Sequence, residues 1–588
     1  MNNVTTDVLV IGSGAGGFSA AVTAAYHGLS VTVVEKADVC GGATSWSGGW
    51  MWTPGNPLAK ADGVDEDPET FRTYLRSVIG EQYEEDRIDA FLDAVPNMVG
   101  FFHNKTSLQF VPGAKINDIY GNNPGAGTGH RSVGPKPLNA RAIKQPLRKK
   151  LRGQLYETSF LGMGIMAGPD LAAFLNAMRG DVRSFFHCAW RVGFHVWDLI
   201  WHREGMQLVN GTALTGRLAM SADNLGVDIR VSTPAKRLLT DQSGRVTGAV
   251  VGSPDGDDYT ITATRGVVLA TGGFPNDVER RREFFARTPT GNEHWTLAPA
   301  STTGDGINLA ESVGGHFRSD VASAAAWCPV SLMPYRSGRI GTFPHIPDRA
   351  KPGNISVLRN GKRFVNEANG YYDFVQGMVE SVPEGDTIES WMIADHTFAR
   401  RYPVGMAKPR PVPLFPYIRN GYIVKSRTLE GLARKCGIDP SALRDTVATF
   451  NANARAGKDP EFGRGSTPFN RSGGDASNPF PNPSLAPIER GPFYAVRILP
   501  GSFGTFAGVS ADGKARVLTA SGDPVPGLYV AGNDQVNVMG GHYPAGGINL
   551  GPAMTFGYIA ARDIAGATDY ETSHAAERTA LRARKATS

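Results

Sequence analysis

The apolar residues near the start of the chain fall into two short continuous runs, Asp7-Val8-Leu9-Val10-Ile11 and Val31-Thr32-Val33-Val34, separated by an Ala-rich stretch from Phe18 to Gly28. Continuous apolar runs this short predict strands buried on both faces, and the intervening stretch predicts the helix of a parallel βαβ unit. Val267-Val268-Leu269 and Leu528-Tyr529-Val530 have the same character far downstream. Val227–Val231 and Arg245–Val251, separated by Asp241-Gln242-Ser243-Gly244, instead predict a strand meander hung on that fold.

Between the first strand and its helix stands Gly12-Ser13-Gly14-Ala15-Gly16-Gly17, and Glu35 closes the second strand. In this context Gly12 makes the tight turn, Gly14 lets the backbone approach a pyrophosphate, and Gly17 lets helix and strand pack closely. The phosphates would sit at the helix N-terminus, where free N–H groups and the dipole favour negative charge. An acid at Glu35 suits a ribose hydroxyl and opposes a 2′-phosphate, which leaves FAD or NAD.

The next segment, Gly41-Gly42-Ala43-Thr44-Ser45-Trp46-Ser47-Gly48-Gly49, is too polar and Gly-rich to be an ordinary connecting helix. It could lie along a long cofactor, with N–H and hydroxyl groups from Gly41, Gly42, Thr44, Ser45, Ser47, Gly48 and Gly49. Ala270-Thr271-Gly272-Gly273 and Ala531-Gly532-Asn533 each follow an apolar strand with small residues, the packing needed where backbone approaches a ligand.

At 588 residues the chain exceeds what one core normally organises. The expectation is an α/β protein: a Rossmann-like FAD-binding domain assembled from separated segments, with an inserted α+β substrate domain. Residues 1–275 form the first part of the nucleotide domain, with a helical and loop insertion over about 100–205. Residues 276–488 form the substrate domain, and 489–588 return to the nucleotide domain, ending in an Ala/Arg/Thr-rich tail after Thr568 that reads as a frayed helix. With 41% apolar and 20% charged residues the composition is that of a soluble globular protein. A net charge of +5, with no dominant basic domain or recognition motif, suggests no nucleic-acid role. The first strand starts too early for a secretory signal, so the expected compartment is the cytoplasm. Cys40, Cys188, Cys328 and Cys436 are far apart and form neither a metal-ligand pattern nor a redox pair.

Residues 141–152 form a basic cluster followed by the apolar Phe160-Leu161-Gly162-Met163-Gly164-Ile165-Met166. A weak peripheral membrane contact is one reading. A solvated basic face beside a loop packed on the core is the favoured one, because the apolar part has no helical period.

Together the Gly-rich segments resemble the FAD-dependent family of fumarate reductases, succinate dehydrogenase flavoprotein subunits and ketosteroid dehydrogenases. Arg363-Phe364-Val365-Asn366-Glu367 is similar to the family's characteristic motif, with Tyr371 four residues beyond it. Fumarate reductases carry an arginine there as proton donor; ketosteroid Δ1-dehydrogenases carry a tyrosine as base. Gly541-His542-Tyr543-Pro544-Ala545-Gly546-Gly547, followed by Asn549, Leu550 and the helix beyond, resembles the last flavin-binding element of the ketosteroid dehydrogenases. The substrate-binding arginine of the fumarate reductases is missing, since none lies between Arg516 and Arg562. Gly504-Thr505-Phe506-Ala507-Gly508 stands where their histidine would be. A dicarboxylate needs cationic partners, so these absences argue against a carboxylate substrate.

The resemblance implies a small apolar ketone, a steroid by preference, as substrate. Tyr543 and the Gly547 N–H would polarise its carbonyl. Tyr371 would remove the acidified proton while a hydride leaves the adjacent carbon for flavin N5. A free tyrosine has a pKa of about 10, and the resemblance assigns Tyr120, in Tyr120-Gly121-Asn122-Asn123-Pro124-Gly125, as the hydrogen-bonding helper of Tyr371. Tyr372 is the rival base if the register slips, and His542 reads as structural. Asp305 in Thr303-Gly304-Asp305-Gly306 is similar to a turn near the flavin, and Trp46, Trp50 and Trp52 either line a flat pocket or pack a domain interface. No histidine lies between His27 and His103, so FAD should be noncovalent. An external acceptor, with a quinone as candidate, would reoxidise it. The alternatives are a 3-ketosteroid Δ4-dehydrogenase or ene-reductase, a fumarate reductase-like enzyme, and a noncatalytic flavin- or sterol-binding protein.

Overall fold

The computed structural model describes residues 3–567 apart from 167, 179, 254 and 255; the tail after Thr568 lies outside the described residues. The apolar runs form a largely parallel sheet. Its strands follow the order Arg516–Leu518, Pro524–Val530, Asp258–Leu269, Val4–Ile11, Val31–Val34 and Asp228–Arg230. Ile11 pairs with Leu269 and Val34, and Leu269 with Val530, all in parallel register. Val8, Leu9 and Val10 are wholly buried, as strands covered on both faces require.

One expectation needs correction. Asp228–Arg230 is a parallel edge strand beside Val31–Val34, and the meander consists of Ala235–Thr240, Val246–Gly252 and the first half of Asp258–Leu269. The chain reverses through Asp241-Gln242-Ser243-Gly244, as its polar turn residues dictate.

Helix Ala15–Tyr26 packs against the C-terminal helix Leu550–Ala565. The approach is close: a Cβ on Gly557 would lie 2.3 Å from the Gly16 carbonyl oxygen, and the Ser19 hydroxyl donates to the Met554 carbonyl at 2.5 Å.

A second, mostly antiparallel sheet runs Ile340–Pro344, Ala325–Pro334, Phe493–Thr505, Ser390–Ala394 and Asn354–Val357. Its spine is the 13-residue strand Phe493–Thr505, so the stretch from residue 489 onward first serves this sheet and only then returns to the parallel one. Helix Tyr371–Ser381 lies on Ala325–Pro334. The C-terminal ends of the parallel strands release Gly12, Glu35, Ala270–Gly273 and Ala531–Asn533 toward this second sheet. In open α/β sheets that rim is where ligands bind.

Candidate active site

The nucleotide side of this rim is built by the first βαβ unit. Gly12 has a φ of +107°, and a Cβ there would fall 2.1 Å from the Ala270 carbonyl oxygen. A Cβ on Gly17 would meet the Gly12 carbonyl at 2.0 Å, so these two glycines serve chain packing. Gly14 faces open space, with only Thr44 Oγ1 at 3.6 Å, and it caps helix Ala15–Tyr26 without a side-chain hydrogen bond. That leaves a helix N-terminus with room for a phosphate. The Glu35 carboxylate accepts from the Ser13 hydroxyl at 2.6 Å and from the Ala37 N–H at 2.9 Å. Thr44 Oγ1 accepts from the Ala15 N–H at 3.0 Å, tying the second Gly-rich segment to the helix start.

A cavity of about 760 Å³ runs from these loops to the second sheet. Of the residues expected to hold a cofactor, Gly12, Gly14, Glu35, Gly42, Thr44, Ser47, Gly48, Gly49, Gly272, Asp305, Gly532, Asn533, Gly547, Asn549 and Leu550 line it. Gly17, Gly41, Ser45 and Gly273 stand behind the wall. The Gly41 N–H donates to Ser13, Ser45 bonds Thr215 at 3.0 Å, and the Gly273 N–H donates to Asp534 at 2.8 Å. Asp305 pairs with Lys36 at 2.7 Å. The donor set along the wall therefore fits a dinucleotide, and the buried Asn549 Oδ1 has no partner among the described residues.

Tyr371 and Tyr543 meet at the cavity wall with ring centroids 4.8 Å apart and planes nearly perpendicular. Tyr371 is the first residue of its helix, and Phe503 packs edge-on against it at 5.1 Å. Tyr372 lies behind, against Phe506, and does not line the cavity. The Tyr543 oxygen accepts from Asn549 Nδ2 at 3.3 Å. Its own hydrogen therefore remains available to a bound oxygen. The Gly547 N–H likewise makes no internal hydrogen bond among the described residues. Burial raises the pKa of both tyrosines, most strongly for Tyr371, and the Arg349 charge opposes the rise at Tyr371.

Tyr120 does not take the expected place. Its hydroxyl donates to Asp373 Oδ1 at 2.6 Å, in the first turn of the Tyr371 helix, and it lies outside the cavity lining. The charge that acts on Tyr371 is Arg349, whose guanidinium donates to the Glu367 carbonyl at 2.8 Å and the His345 carbonyl at 2.7 Å. The Arg363-to-Glu367 segment is the brace that sets the Tyr371 helix. Arg363 grips Glu367 through two bonds of 2.8 and 2.7 Å and Asp459 through two of 2.9 Å, while Arg464 reaches Glu367 at 3.1 Å. Trp46 and Trp50 line the cavity, whereas Trp52 is buried with its indole N–H on Asp118 at 3.0 Å. His542 lies off the cavity, kept neutral by burial.

The FAD binding domain model matches residues 7–550. The chain belongs to that family. This flavoprotein is 40% identical to a 4-oxocyclohex-2-ene-1-carboxylate 5-dehydrogenase of Sinomonas cyclohexanicum, over 96% of this chain and 94% of that one. It is 36% identical to a 3-oxosteroid 1-dehydrogenase of Mycobacterium tuberculosis, over 95% and 98%. Its fold matches the crystal structure of a 3-ketosteroid Δ1-dehydrogenase from Sterolibacterium denitrificans, with a TM-score of 0.87, 34% identity and coverage of 96% and 99%. It is an FAD-dependent oxidoreductase.

Three features of the flavoprotein's site escaped the sequence. Asp534 is fully buried and accepts from the N–H groups of Thr271 and Gly273 and the Thr271 hydroxyl, which pins the 270–273 loop to the last strand. Its position directly after Gly532-Asn533 was the available signal. Arg349 has no local signature. Lys408 lines the cavity, makes no ion pair among the described residues, and has its pKa lowered by burial. It stands in the field of Asp348, whose Oδ2 is held by His345 Nδ1 at 2.6 Å and whose buried Oδ1 has no hydrogen-bond partner among the described residues.

Proposed function

We propose that this flavoprotein introduces a double bond beside the carbonyl of a cyclic ketone, with a 3-ketosteroid desaturated at C1–C2 as its substrate. The observation that carries the reading is the Tyr371–Tyr543 pair lining the same apolar-walled cavity as Gly547, whose N–H makes no internal hydrogen bond among the described residues. The substrate oxygen is received by the Tyr543 hydroxyl and the Gly547 N–H, and two donors near the position where negative charge develops lower the barrier to enolisation. Tyr371 takes the proton from the neighbouring carbon. It must first release its own proton to solvent water before the substrate enters, a step that the Arg349 charge favours and burial opposes. The loops of Gly14, Thr44, Gly49, Gly272 and Asn549 would hold FAD noncovalently, and FAD supplies the hydride-accepting chemistry. An external acceptor, a quinone in our proposal, takes the electrons on. The apolar wall, with Phe160, Phe174, Phe343, Phe469 and Phe503, suits a flat hydrocarbon body and excludes water from the proton transfer.

Anaerobic mixing of the yellow protein with androst-4-ene-3,17-dione tests this directly. The expected outcome is bleaching of the flavin and a 1,4-diene product. Tyr371→Phe and Tyr543→Phe should retain FAD and lose roughly 100-fold or more in turnover, the scale of a lost acid or base. Near-normal turnover in either variant removes that tyrosine from the mechanism.

A second reading has its own support. Lys408 is a cation without an ion-pair partner in the same cavity, and the 40% identical relative is named for a ring that bears both a ketone and a carboxylate. The sequence expectation against carboxylates rested on two positions of the fumarate pattern, and Lys408 comes from a third. On this reading 4-oxocyclohex-2-ene-1-carboxylate bleaches the flavin faster than the steroid. Lys408→Met then raises its KM while leaving a neutral cyclic enone unaffected.

A further inference from the structure

Helix Val182–His202 is inside out. Its buried residues are polar: Arg191, His195 and Asp198. Arg191 bonds Asp170 at 2.9 Å and the Gly164 carbonyl at 3.0 Å, His195 meets the Leu161 carbonyl at 3.0 Å, and Asp198 pairs with Arg141 at 2.5 Å. Its outward faces are mostly apolar, with Arg183, His187 and His202 the exposed polar exceptions. Among the described residues there are 17 exposed large hydrophobic side chains, and ten of them lie on this one helix, with Phe186 at 67%, Trp201 at 65% and Trp190 at 58% exposed. Patches of this size on a soluble protein mark a contact surface.

We propose that this helix seats the flavoprotein in the interface of an anionic lipid bilayer, lying in the membrane plane. Three observations favour lipid over a second copy of the chain. Trp190, Trp197 and Trp201 all sit on the outward side, and indoles prefer the headgroup level where one edge is apolar and the other wet. The helix carries a single acid, the buried Asp198. The basic segment beside its C-terminal half, including exposed Lys144 and Lys149, is joined to it through Arg141–Asp198 and by Arg148–Glu204 at 3.2 Å. Apolar surface with adjacent cations is what an anionic leaflet recognises. No helix among the described residues is long and apolar enough to cross a membrane, which leaves the in-plane orientation.

The neighbouring helix Pro169–Met178 links this surface to the cavity. It packs on Val182–His202, and its Leu171, Phe174 and Leu175 line the cavity. This places the cavity next to the proposed docking surface, where an apolar substrate dissolved in lipid would be at hand. This last step rests on the substrate reading above; the docking does not.

Flotation of the purified full-length holoprotein with vesicles, scored by flavin absorbance and with no substrate present, tests the docking apart from the chemistry. Vesicles of phosphatidylcholine with phosphatidylglycerol should carry the protein upward, and phosphatidylcholine alone should carry less. Replacing Trp190, Trp197 and Trp201 together by Ser should lower the bound fraction at least about tenfold with flavin content unchanged. Lys144→Glu with Lys149→Glu should abolish only the preference for the anionic lipid. Protein left at the bottom of both gradients overturns the proposal. So does a dimer seen by light scattering that the three serines dissolve without changing flotation, which would assign the helix to self-association.

Discussion

Asp373→Asn isolates the cost of holding a carboxylate beside Tyr371. Asp373 accepts the Tyr120 hydrogen bond through Oδ1, while Oδ2 is buried without a partner among the described residues. Burial raises its pKa from 3.8 to about 6. A folded pKa above the unfolded one means that its stabilising contribution is complete below the unfolded value and is lost as pH rises through about 6. At pH 8 the ionised group therefore costs up to about 3 kcal/mol, and at pH 5 about half of that. Asparagine keeps an oxygen for Tyr120 and removes the charge, so the variant should be more stable than the native chain, and more so at alkaline pH. A protein of 588 residues has an unfolding entropy near 1.2 kcal/mol/K, so the gain in Tm is about 2 °C at pH 8 and about 1 °C at pH 5. Thermal unfolding of both proteins at the two pH values is the assay. Asp534 titrates in the same range, also raised to about 6, so only the difference between variant and native curves carries the information. An equal shift at both pH values, or a loss of stability, would refute the reasoning.

Gly12→Ala places a Cβ 2.1 Å from the Ala270 carbonyl at a φ of +107°, and should cost more than about 2 kcal/mol and deplete the bound flavin, read as the ratio of flavin to protein absorbance. Glu367→Gln leaves Arg363 and Arg464 buried with less compensation and should cost roughly 3–5 kcal/mol near neutrality. Because the pKa of Glu367 is lowered to about 2, its contribution is complete above the ordinary carboxylate range and fades as pH falls toward 2. The gap between native and variant Tm should narrow in acid, and a constant gap would reject the charge argument.

The nucleotide rim was legible because its signals are local. A strand, a Gly-rich turn and an acid occur in fixed order, and sterics force each glycine whatever the rest of the chain does. Tyr371 and Tyr543 were found by resemblance, and the fold brings them together from 172 positions apart. The partner of Tyr120 was not legible, since a hydrogen bond to Asp373 spans 253 residues and depends on which side of a helix turn faces inward. Lys408 and Arg349 carry no pattern, because a cation joins a cavity through packing alone. Helix Val182–His202 shows the limit of amphipathic reading: periodicity reveals two faces, and only tertiary contacts tell which one points to the core.

The contact of helix Ala15–Tyr26 with Leu550–Ala565 has a consequence for biosynthesis. The first βαβ unit leaves the ribosome with one flank of its helix bare, and the surface that covers it is encoded more than 500 residues later. At about 5–20 residues per second the wait is roughly half a minute to two minutes. During that time the nascent chain presents an apolar helix and an unpaired parallel strand edge to its surroundings, a natural client for a holding chaperone. A nonsense mutation anywhere before the last helix would therefore abolish the first domain along with the last.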